Sequence, residues 1–359
     1  MTISPLSSPL SQAAAAEFAP EVTYLNTSSW GLLPRRTVAA VKALADENAA
    51  GRRIGAGSFD AVEAARAGFA RLAGVRPDRV ATGSSVTVHV GLIAASLPAG
   101  AEVLAPEGEF ASVVSPFALR GDLRMRYVPL GDLADAVRPT TALVAFSSVQ
   151  SADGRVADLA AVRTAAAAHG ARTLLDATQS AGWFPLDAGA YDYTVTGGFK
   201  FLLCPRGTSF LTVTEEAQAT LPHLFAGWVT AGAPWSGNYG PLERVAPGAR
   251  GFDAPPAFLS YHGAEHSLAL LAEIGTDALY AHATSLAARL RSGLAELGHE
   301  VVPGESAIVS APGLESREPQ LAKAGIAVST PVGNLRISCH LYNTEADVDR
   351  VLDVLGRPA

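Results

Sequence analysis

The fold is decided by two adjoining segments, Asp176-Ala-Thr-Gln-Ser-Ala-Gly-Trp-Phe-Pro-Leu-Asp187 and Tyr191-Asp-Tyr-Thr-Val-Thr-Gly-Gly-Phe-Lys200. The run Thr173-Leu174-Leu175 predicts a short buried strand that ends at Asp176, and Tyr193-Thr194-Val195-Thr196 predicts the next strand. In open α/β sheets, ligands bind beyond the carboxyl ends of the strands. The sequence therefore brings a carboxylate, Asp176, and an amine, Lys200, to one crevice.

A carboxylate and a lysine amine in one crevice are what pyridoxal 5'-phosphate chemistry requires. The Lys200 amine can hold the cofactor aldehyde as a Schiff base. The Asp176 carboxylate, facing the ring nitrogen, keeps that nitrogen protonated, so the ring can accept electrons from a substrate carbanion. The pair predicts pyridoxal 5'-phosphate as cofactor and Lys200 and Asp176 as catalytic residues.

Two further segments, in the same order along the chain, make the pattern specific. Near the N-terminus stands Tyr24-Leu25-Asn26-Thr27-Ser28-Ser29-Trp30-Gly31-Leu32-Leu33-Pro34, and near the C-terminus Leu335-Arg336-Ile337-Ser338-Cys339-His340-Leu341-Tyr342-Asn343-Thr344-Glu345. Together with the Asp176 to Lys200 segment, they resemble the class V aminotransferase family of fold-type I pyridoxal phosphate enzymes. That family also contains cysteine desulfurases, isopenicillin N epimerase and carbon-sulfur lyases.

The resemblance implies an α/β fold of the fold-type I kind. A large domain with a seven-stranded, mainly parallel sheet precedes a smaller α+β C-terminal domain, and a homodimer carries its active sites at the subunit interface. We assign residues 1–20 to an N-terminal arm, 21–255 to the cofactor-binding large domain and 256–359 to the small domain. The boundary falls at the end of a Gly- and Pro-rich tract, 226–256, that interrupts regular structure.

The hydrophobic pattern of the chain agrees with this organisation. Helices are expected near 37–50, 59–73 and 160–169, and strands at 80–82, 103–105, 143–147 and 208–213. A long helical pattern from residue 259 to 294, strands near 307–310 and 335–338, and a closing helix 345–355 follow. The alternation of strands and helices predicts a mostly parallel sheet.

Composition narrows the partners and the compartment. The 359 residues are 48% hydrophobic and 17% charged, and the net charge of −7 comes without a basic cluster, which argues against nucleic acid. No apolar run reaches membrane-spanning length. The N-terminus lacks the pattern of a signal peptide. Because two cysteines, Cys204 and Cys339, are too few for a disulfide framework, we expect a cytoplasmic enzyme. The acidic net charge favours a small-molecule substrate, and the resemblance implies that this substrate is an amino acid.

The Gly83-Ser84-Ser85 segment opens a helix directly after a strand. Its backbone amides and hydroxyls, assisted by the helix dipole, can hold the cofactor phosphate. Serine N-capping is the alternative interpretation, and the resemblance favours phosphate binding because the family has Gly-Ala-Thr here. Thr196, four residues before Lys200, is a further phosphate candidate.

Other cofactor contacts are implied by the resemblance. Phe110 takes the place of a histidine that stacks on the cofactor ring in many relatives, and an aromatic ring can stack equally well. Gln179 matches a glutamine that binds the cofactor hydroxyl. Ser148 and Gln150 follow a strand where desulfurase-like relatives have an asparagine, and turn or cap hydrogen bonding is the alternative for these polar residues.

The substrate side is assigned in the same way. Arg336 matches the family residue that grips the substrate α-carboxylate, a task that suits the guanidinium fork. Asn26 matches a substrate-side position of the N-terminal segment. The tract from Gly227 to Tyr239, with Trp228 and Trp235, is expected to shape the substrate pocket.

The chain departs from the family at two places. The loop before the last signature, residues 324–333, contains no cysteine, so persulfide chemistry on that loop is excluded. Asp253-Ala254 stands where relatives donate a threonine to the phosphate of the partner subunit, which leaves the contribution of the partner open. His262-Gly-Ala-Glu-His266 matches a zinc-binding pattern, but nothing around it suggests a peptidase, and we expect no metal.

Lys200, freed from the cofactor by the substrate amine, is expected to remove the substrate α-proton. The missing persulfide cysteine favours a lyase-type reaction, such as β-elimination or carbon-sulfur cleavage. Transamination and epimerisation are the alternative reactions, and a noncatalytic pyridoxal phosphate-binding protein is the alternative class. A nicotinamide oxidoreductase is disfavoured, because no G-x-G-x-x-G follows a strand.

Overall fold

The computed structural model describes residues 9–52, 57–233 and 237–358. The strands are β1 (Thr23–Tyr24), β2 (Val80–Gly83), β3 (Glu102–Pro106), β4 (Arg124–Val128), β5 (Thr141–Ser147), β6 (Arg172–Asp176), β7 (Tyr193–Gly197), β8 (Ser209–Val213), β9 (Ile308–Pro312), β10 (Ile326–Ala327) and β11 (Asn334–Ser338). The α-helices are α1 (Pro9–Glu17), α2 (Arg35–Ala49), α3 (Phe59–Leu72), α4 (Val86–Ser96), α5 (Ala111–Ala118), α6 (Leu159–His169), α7 (Glu215–Gln218), α8 (Phe258–Ile274), α9 (Thr276–Glu296), α10 (Glu318–Lys323) and α11 (Glu345–Leu355).

Seven of these strands form one sheet in the order β2-β8-β7-β6-β5-β3-β4. Strand β8 runs antiparallel to both of its neighbours, and the other pairings between adjacent strands are parallel. The predicted α/β fold with a seven-stranded, mainly parallel sheet is therefore confirmed. Because β5, β6 and β7 are parallel neighbours, their carboxyl ends meet at one edge, as the sequence required.

Helices cover both faces of the sheet. Alternate residues of β5 point to opposite sides, so Leu143 packs in the core that contains Val90 of α4 and Phe117 of α5. Val144 packs in the opposite core, with Val162 of α6. Strand residues that are buried on both faces have continuous apolar sequences rather than alternating ones. This is why the central strands were predicted correctly from apolar runs.

The helical pattern predicted over 259–294 is two helices in the structure. Helix α8 ends at Ile274 and α9 begins at Thr276, with Gly275 between them at φ +86°. Glycine adopts this φ without the steric cost that other residues meet, so the chain turns there. The single long helix was therefore a wrong prediction.

Helix α8 lies against the large domain. The hydroxyl of Ser267 lies 2.7 Å from that of Thr37 in α2, and a side-chain atom of Leu268 would lie 3.1 Å from a Cβ placed on Gly68 of α3. The boundary predicted between residues 255 and 256 stays a prediction, although the helix that follows it packs on the residues that precede it.

The C-terminal part of the chain has its own core. Strands β9 and β11 pair antiparallel, and α9 and α11 pack on them through residues that include Leu290 and Val351. Strand β1 joins from the N-terminal side by pairing in parallel with β10. Asn26 then forms a parallel bridge with Ser338. The beginning and the end of the described chain are thus adjacent.

The described part of the predicted N-terminal arm is helical, and residues 1–8 lie outside the described residues. Leu10 and Phe18 are buried in the large core, and Glu17 forms a 2.6 Å ion pair with Arg36 of α2. Helix α1 therefore packs on the large core, and the assignment of residues 1–20 to an N-terminal arm stays a prediction. Within the described ranges, no helix is both long and apolar enough to cross a bilayer.

Candidate active site

A cavity of about 240 Å³ opens at the edge where β5, β6 and β7 end. It contains five of the residues predicted for the site: Ser85, Phe110, Asp176, Gln179 and Lys200. The remaining lining residues that the structure describes are Val86, Ser112, Ser147, Ser151, Thr178, Gly197 and Phe199. The predicted acid and amine therefore meet in one crevice.

Asp176 ends β6 and is buried. Burial raises the pKa of its carboxyl to about 6, and the charge of Glu109 adds to that rise, while hydrogen bonds from Thr178 and the charge of Lys200 oppose it. The Thr178 amide donates to Oδ1 over 2.8 Å, which fixes the carboxyl plane. A buried carboxyl with a raised pKa is stabilised as the anion when a protonated ring nitrogen faces it.

Lys200 lies just beyond β7 and is also buried. Burial lowers the pKa of its amine to about 8; the charge of Asp176 opposes that change, and those of Arg336 and Arg206 add to it. A lysine with a lowered pKa has more neutral amine near pH 7 and is a better nucleophile. Its Nζ lies 5.0 Å from the centroid of the Phe110 ring.

The backbone around Lys200 is held tightly. The Gly31 amide donates to the carbonyl of Phe199 over 2.9 Å. A Cβ at position 31 would lie 2.2 Å from the Lys200 carbonyl oxygen, so glycine is required there. The following turn contains Leu203 at φ +56°, a left-handed conformation that is unusual for a branched side chain.

The start of helix α4 offers hydrogen-bond donors. Ser85 occupies the N-cap position, yet its side chain makes no capping hydrogen bond. The amides of Ser84 and Ser85 donate no hydrogen bond to a described residue, whereas the Gly83 amide donates to the Tyr261 hydroxyl over 2.9 Å. Ser84 and Ser85 therefore remain available to an anion at the helix start, and Gly83 serves as the close turn before them.

Phe110 is held by its neighbour Glu109. The Glu109 carboxylate is buried and accepts four hydrogen bonds, from the Phe110 amide, the Ser147 amide and hydroxyl, and the Gln150 side chain, at 2.6 to 2.9 Å. Phe110 is 45% exposed and lines the cavity, so its ring is accessible to a planar partner. Gln150 thus stabilises the loop of Phe110 through its hydrogen bond to Glu109, and it does not line the cavity.

Gln179 has one polar atom without a partner. Its Nε2 donates to the Ser28 carbonyl (3.1 Å) and to the Ser151 hydroxyl (3.0 Å). Its Oε1 is buried and has no hydrogen bond to any described residue, and neither has the Thr196 hydroxyl oxygen. Buried unsatisfied polar atoms are costly. A ligand hydroxyl that donates to Gln179 would remove this cost, and pyridoxal phosphate has such a hydroxyl on its ring.

Ser148 and Thr196 lie behind the lining residues. The Ser148 hydroxyl contacts the Asp176 carbonyl oxygen (3.1 Å) and the Ser180 hydroxyl (2.6 Å). Thr196 is fully buried within β7. The assignment of both residues to cofactor binding stays a prediction. Ser148 is already satisfied by protein atoms, and Thr196 is not.

Arg336 is a buried arginine with serine partners. Its Nε donates to the Ser329 hydroxyl (3.1 Å), its Nη1 to the Ser151 hydroxyl (3.2 Å) and its Nη2 to the Ser29 hydroxyl (2.9 Å). No carboxylate among the described residues forms an ion pair with it. Burial lowers its pKa to about 10. A buried guanidinium with only neutral partners is suited to bind an incoming carboxylate.

Asn26 reaches Arg336 through Ser29. The Ser29 hydroxyl donates to Asn26 Oδ1 over 2.7 Å and accepts from Arg336. Ser29 and Ser151 were missed in the sequence, because single serines in loops carry no periodic signal. The only available signal for Ser151 was its position in the loop after β5. Glu109 was also missed, since an acid in a turn is usually solvated.

Asp253 stabilises the fold through buried contacts with Arg66 and Thr82. Its carboxylate forms a bidentate ion pair with Arg66 of α3, at 3.0 and 2.6 Å, and accepts the Thr82 amide at 2.7 Å. Both side chains are almost completely buried. Asp253 thereby anchors the strand that leads to Gly83 and has no free donor for a phosphate.

The remaining motifs are not placed at the cavity. His262 and His266 lie on α8 with ring centroids 5.7 Å apart, and no three potential ligands among the described residues are grouped to bind a metal. Cys204 and Cys339 are free and buried, and burial raises both thiol pKa values, that of Cys339 to about 12. Trp235 lies outside the described residues.

Known proteins that resemble this chain in sequence or in fold include an aminotransferase, an epimerase and a carbon-sulfur lyase. The chain is 27% identical to the uncharacterized aminotransferase YcbU of Bacillus subtilis (83% of this chain, 84% of that protein). It is 28% identical to isopenicillin N epimerase of Streptomyces clavuligerus (94% of each). The solved complex of the cystine C-S lyase C-DES with its reaction product cysteine persulfide has the same fold, with a TM-score of 0.83, 22% identity and coverage of 94% of this chain and 97% of that one.

The family assignment rests on a match over most of the chain. The sequence model described as Aminotransferase class-V matches residues 23–307, which include the N-terminal segment and the whole Asp176 to Lys200 region. The predicted family, the use of pyridoxal phosphate and the enzymatic nature of the protein are thereby confirmed. This protein belongs to the class V aminotransferase family and is a pyridoxal phosphate-dependent enzyme.

Proposed function

We propose that this enzyme acts at the α-carbon of an amino acid by a lyase-type reaction, in which a leaving group such as a thiol is expelled from the β-carbon. One observation carries the proposal: among the described residues that line the cavity, only Lys200 and Asp176 are ionisable. Asp176 is fixed by Thr178, so Lys200 is the one group that can carry a proton to and from the substrate. An elimination needs one such group.

Each residue then has a defined task. Bound pyridoxal phosphate supplies the electron sink that makes the α-proton acidic. Ser84 and Ser85 would hold its phosphate, the Phe110 ring would stack on its ring, Gln179 would accept a hydrogen bond from its hydroxyl and Asp176 would pair with its ring nitrogen. Arg336 binds the α-carboxylate of the substrate and thereby orients the α-hydrogen toward Lys200.

In the net reaction, the Cα–H bond and the bond from Cβ to the leaving group break. The leaving group departs with a proton, as a thiol in the case of a cysteine conjugate. The enamine that is released takes up one water and yields a keto acid and ammonia. No oxidant or second substrate is needed, and no protein thiol takes part, in accordance with the burial of Cys204 and Cys339.

The test is a product balance. Purified holoenzyme is incubated with cysteine and with S-substituted cysteines, and pyruvate, ammonia and thiol are measured together. We expect the three products in equal amounts without any added keto acid. Pyruvate without ammonia, or turnover that requires an added keto acid, would contradict a lyase. The Lys200→Ala variant serves as the blank for nonenzymatic breakdown.

Transamination is the second candidate, and the likeness to the uncharacterized aminotransferase YcbU favours it. It uses the same lysine, so turnover dependent on a keto acid without ammonia release identifies it. Epimerisation is favoured by the likeness to isopenicillin N epimerase. It requires a proton on the other face of the α-carbon, and Phe110 cannot supply one. Deuterium exchange with loss of optical rotation would reveal it.

Replacement of Arg336 with lysine tests the carboxylate site. Lysine keeps the positive charge but loses the bidentate fork. We expect KM for amino-acid substrates to rise about tenfold or more, with a smaller change in kcat, because the lost contacts serve binding. Steady-state kinetics measure both constants. Arg289→Lys, which alters an exposed ion pair with Asp349, is the matched control and should leave KM unchanged.

We also propose that the enzyme is a homodimer, as its family resemblance implies. Two large apolar side chains of the N-terminal segment are partly exposed: Trp30 (48%) and Leu33 (38%). Exposed apolar residues that lie close together are typical of subunit interfaces. Light scattering on the purified protein should give twice the chain mass of 36.9 kDa, and the mass of one chain would exclude the dimer.

We propose a cytoplasmic location because both cysteines are reduced and buried. Cys204 and Cys339 are unpaired and buried, as expected in a reducing compartment. Fractionation of the source cells, with detection of the enzyme by an antibody, tests this location. Recovery in an extracellular or periplasmic fraction would contradict it.

A further inference from the structure

Arg206 extends over a residue that lines the active-site cavity. Its Cζ lies 4.6 Å from the centroid of the Phe199 ring, and Phe199 directly precedes Lys200 and lines the cavity. The arginine is exposed. Stacking on an aromatic face holds a guanidinium flat while its edge N–H groups remain free to donate.

The backbone that carries Arg206 is fixed on both sides. The Ser260 hydroxyl donates to the Arg206 carbonyl over 2.6 Å, and the Thr208 hydroxyl donates to the Pro205 carbonyl over 2.8 Å. Gly207 follows at φ +91°, and a Cβ there would lie 3.2 Å from the Ser260 hydroxyl oxygen. The arginine therefore projects from a rigid turn, and binding a ligand costs only the ordering of its side chain.

The guanidinium of Arg206 has no hydrogen bond or ion pair with a described residue. Some other arginines of the described chain form ion pairs, such as Arg66 with Asp253 and Arg36 with Glu17. Its charge nevertheless acts inside the cavity, where it helps to lower the pKa of the Lys200 amine. An unpaired cation this close to the cavity attracts an anion there.

The cavity needs a cation at this position. Two anions enter it, the dianionic phosphate of the cofactor and the substrate, and Arg336 is assigned to the substrate α-carboxylate. The start of α4 offers only neutral donors to the phosphate, and Lys200 is committed to the aldehyde.

We propose that Arg206 binds an oxyanion at the mouth of the active-site cavity, supplied either by the cofactor phosphate or by a second acidic group on the substrate. Either anion accepts the charged N–H groups that the Phe199 ring holds in place. The cofactor source is independent of the reaction catalysed. The substrate source rests on the proposed lyase function and adds to it a preference for amino acids with an acidic side-chain substituent.

The cofactor source is tested with Arg206→Gln. The holoenzyme is dialysed and cofactor loss is followed by visible absorbance, and the resolved protein is then titrated with pyridoxal phosphate and with pyridoxal, which lacks the phosphate. If Arg206 binds the phosphate, the affinity for pyridoxal phosphate falls about tenfold and that for pyridoxal is unchanged. Arg206→Lys, which keeps the charge, should recover part of the loss.

The substrate source is tested with two cysteine conjugates of equal shape, S-carboxymethylcysteine and its amide, S-carbamoylmethylcysteine. Their binding to the holoenzyme is measured from the change in the cofactor spectrum, which needs no turnover. If Arg206 binds the substituent, the native enzyme binds the acid more tightly than the amide. The ratio of the two affinities then falls about tenfold in Arg206→Gln. Failure of the lyase assay with preserved spectral discrimination would overturn the reaction but not the anion site.

Two results with Arg206→Gln would overturn the proposal. If Arg206→Gln leaves both discriminations unchanged, Arg206 binds no anion at the cavity. If it weakens the binding of pyridoxal phosphate and pyridoxal equally and leaves the preference for the acid over the amide unchanged, its role is to pack on Phe199, and the proposal is wrong. Arg76→Gln is the matched control, since Arg76 is an exposed arginine that pairs with Asp78. It should change neither discrimination.

Discussion

Alanine in place of Lys200 is expected to lower kcat by about 10,000-fold, the upper end of what a positioned proton carrier contributes. The reason is the absence of a substitute: within the described chain, Asp176 is the only other ionisable group that lines the cavity, and its carboxyl is held by Thr178. The Lys200 amine also provides the covalent attachment of the cofactor. Product formation and the visible spectrum of the protein measure the two losses separately.

Lys323→Ala is the control for the Lys200 variant, because Lys323 is an exposed lysine on α10. It should retain both colour and turnover. Borohydride reduction of the native holoenzyme followed by peptide mapping should place the label on the peptide that contains Lys200. A label on another lysine, or a Lys200→Ala variant with native turnover, would remove the basis of the proposed site.

The same amine gives a pH dependence for cofactor uptake. The neutral form of an amine reacts with an aldehyde, and burial lowers the pKa of Lys200 to about 8. The rate of reconstitution should therefore rise from pH 6, reach half its maximum near pH 8, where half of the amine is neutral, and become constant above about pH 9. Stopped-flow absorbance measures this rate, and a rise that continues to pH 10 would indicate an unperturbed lysine.

Alanine in place of Asp253 is expected to destabilise the protein by about 3 kcal/mol, the lower end of the cost of breaking a buried ion pair. The substitution leaves the Arg66 guanidinium, whose side chain is only 3% exposed, with the half-exposed Glu63 as its one remaining counter-ion among the described residues. It also removes the acceptor of the Thr82 amide. Urea unfolding of the resolved protein, followed by fluorescence and circular dichroism, measures the loss.

Two further variants define what the Asp253 result means. The double variant Arg66→Met with Asp253→Leu removes both charges and should recover most of the stability, because the penalty arises from a buried charge that has lost its buried counter-ion. Asp78→Ala breaks an exposed ion pair with Arg76 and should cost less than about 1 kcal/mol. An Asp253→Ala variant no less stable than Asp78→Ala would contradict the structural role.

Much of the fold and the central chemistry could be predicted from sequence. Apolar runs such as 143–147 predict strands buried on both faces. Because Asp176 ends one predicted strand and Lys200 follows the next, their meeting at the carboxyl edge of the sheet could also be predicted. Strand β4 was not predicted, because its sequence, Arg-Met-Arg-Tyr-Val, is that of a partly exposed edge strand. The break at Gly275 was not predicted either, since one glycine does not always end a helix.

The supporting residues of the site could not be predicted. Glu109 acts through four hydrogen bonds that come from residues up to 41 positions away, and Ser29 joins Asn26 to Arg336 across more than 300 positions. Such contacts depend on how the strands are arranged, and a single sequence does not determine that order. The partner of Asp253 was unknown for the same reason.

The parallel bridge between Asn26 and Ser338 has a consequence for biosynthesis. The Ser28 amide donates to the Ser338 hydroxyl, and Ser29 contacts Arg336, so the substrate side of the pocket is built from two segments that are more than 300 positions apart in sequence. A ribosome must synthesise all the residues between these segments before the two can join. We expect nascent chains that stop before residue 334 to lack amino-acid recognition, even where the sheet has already formed.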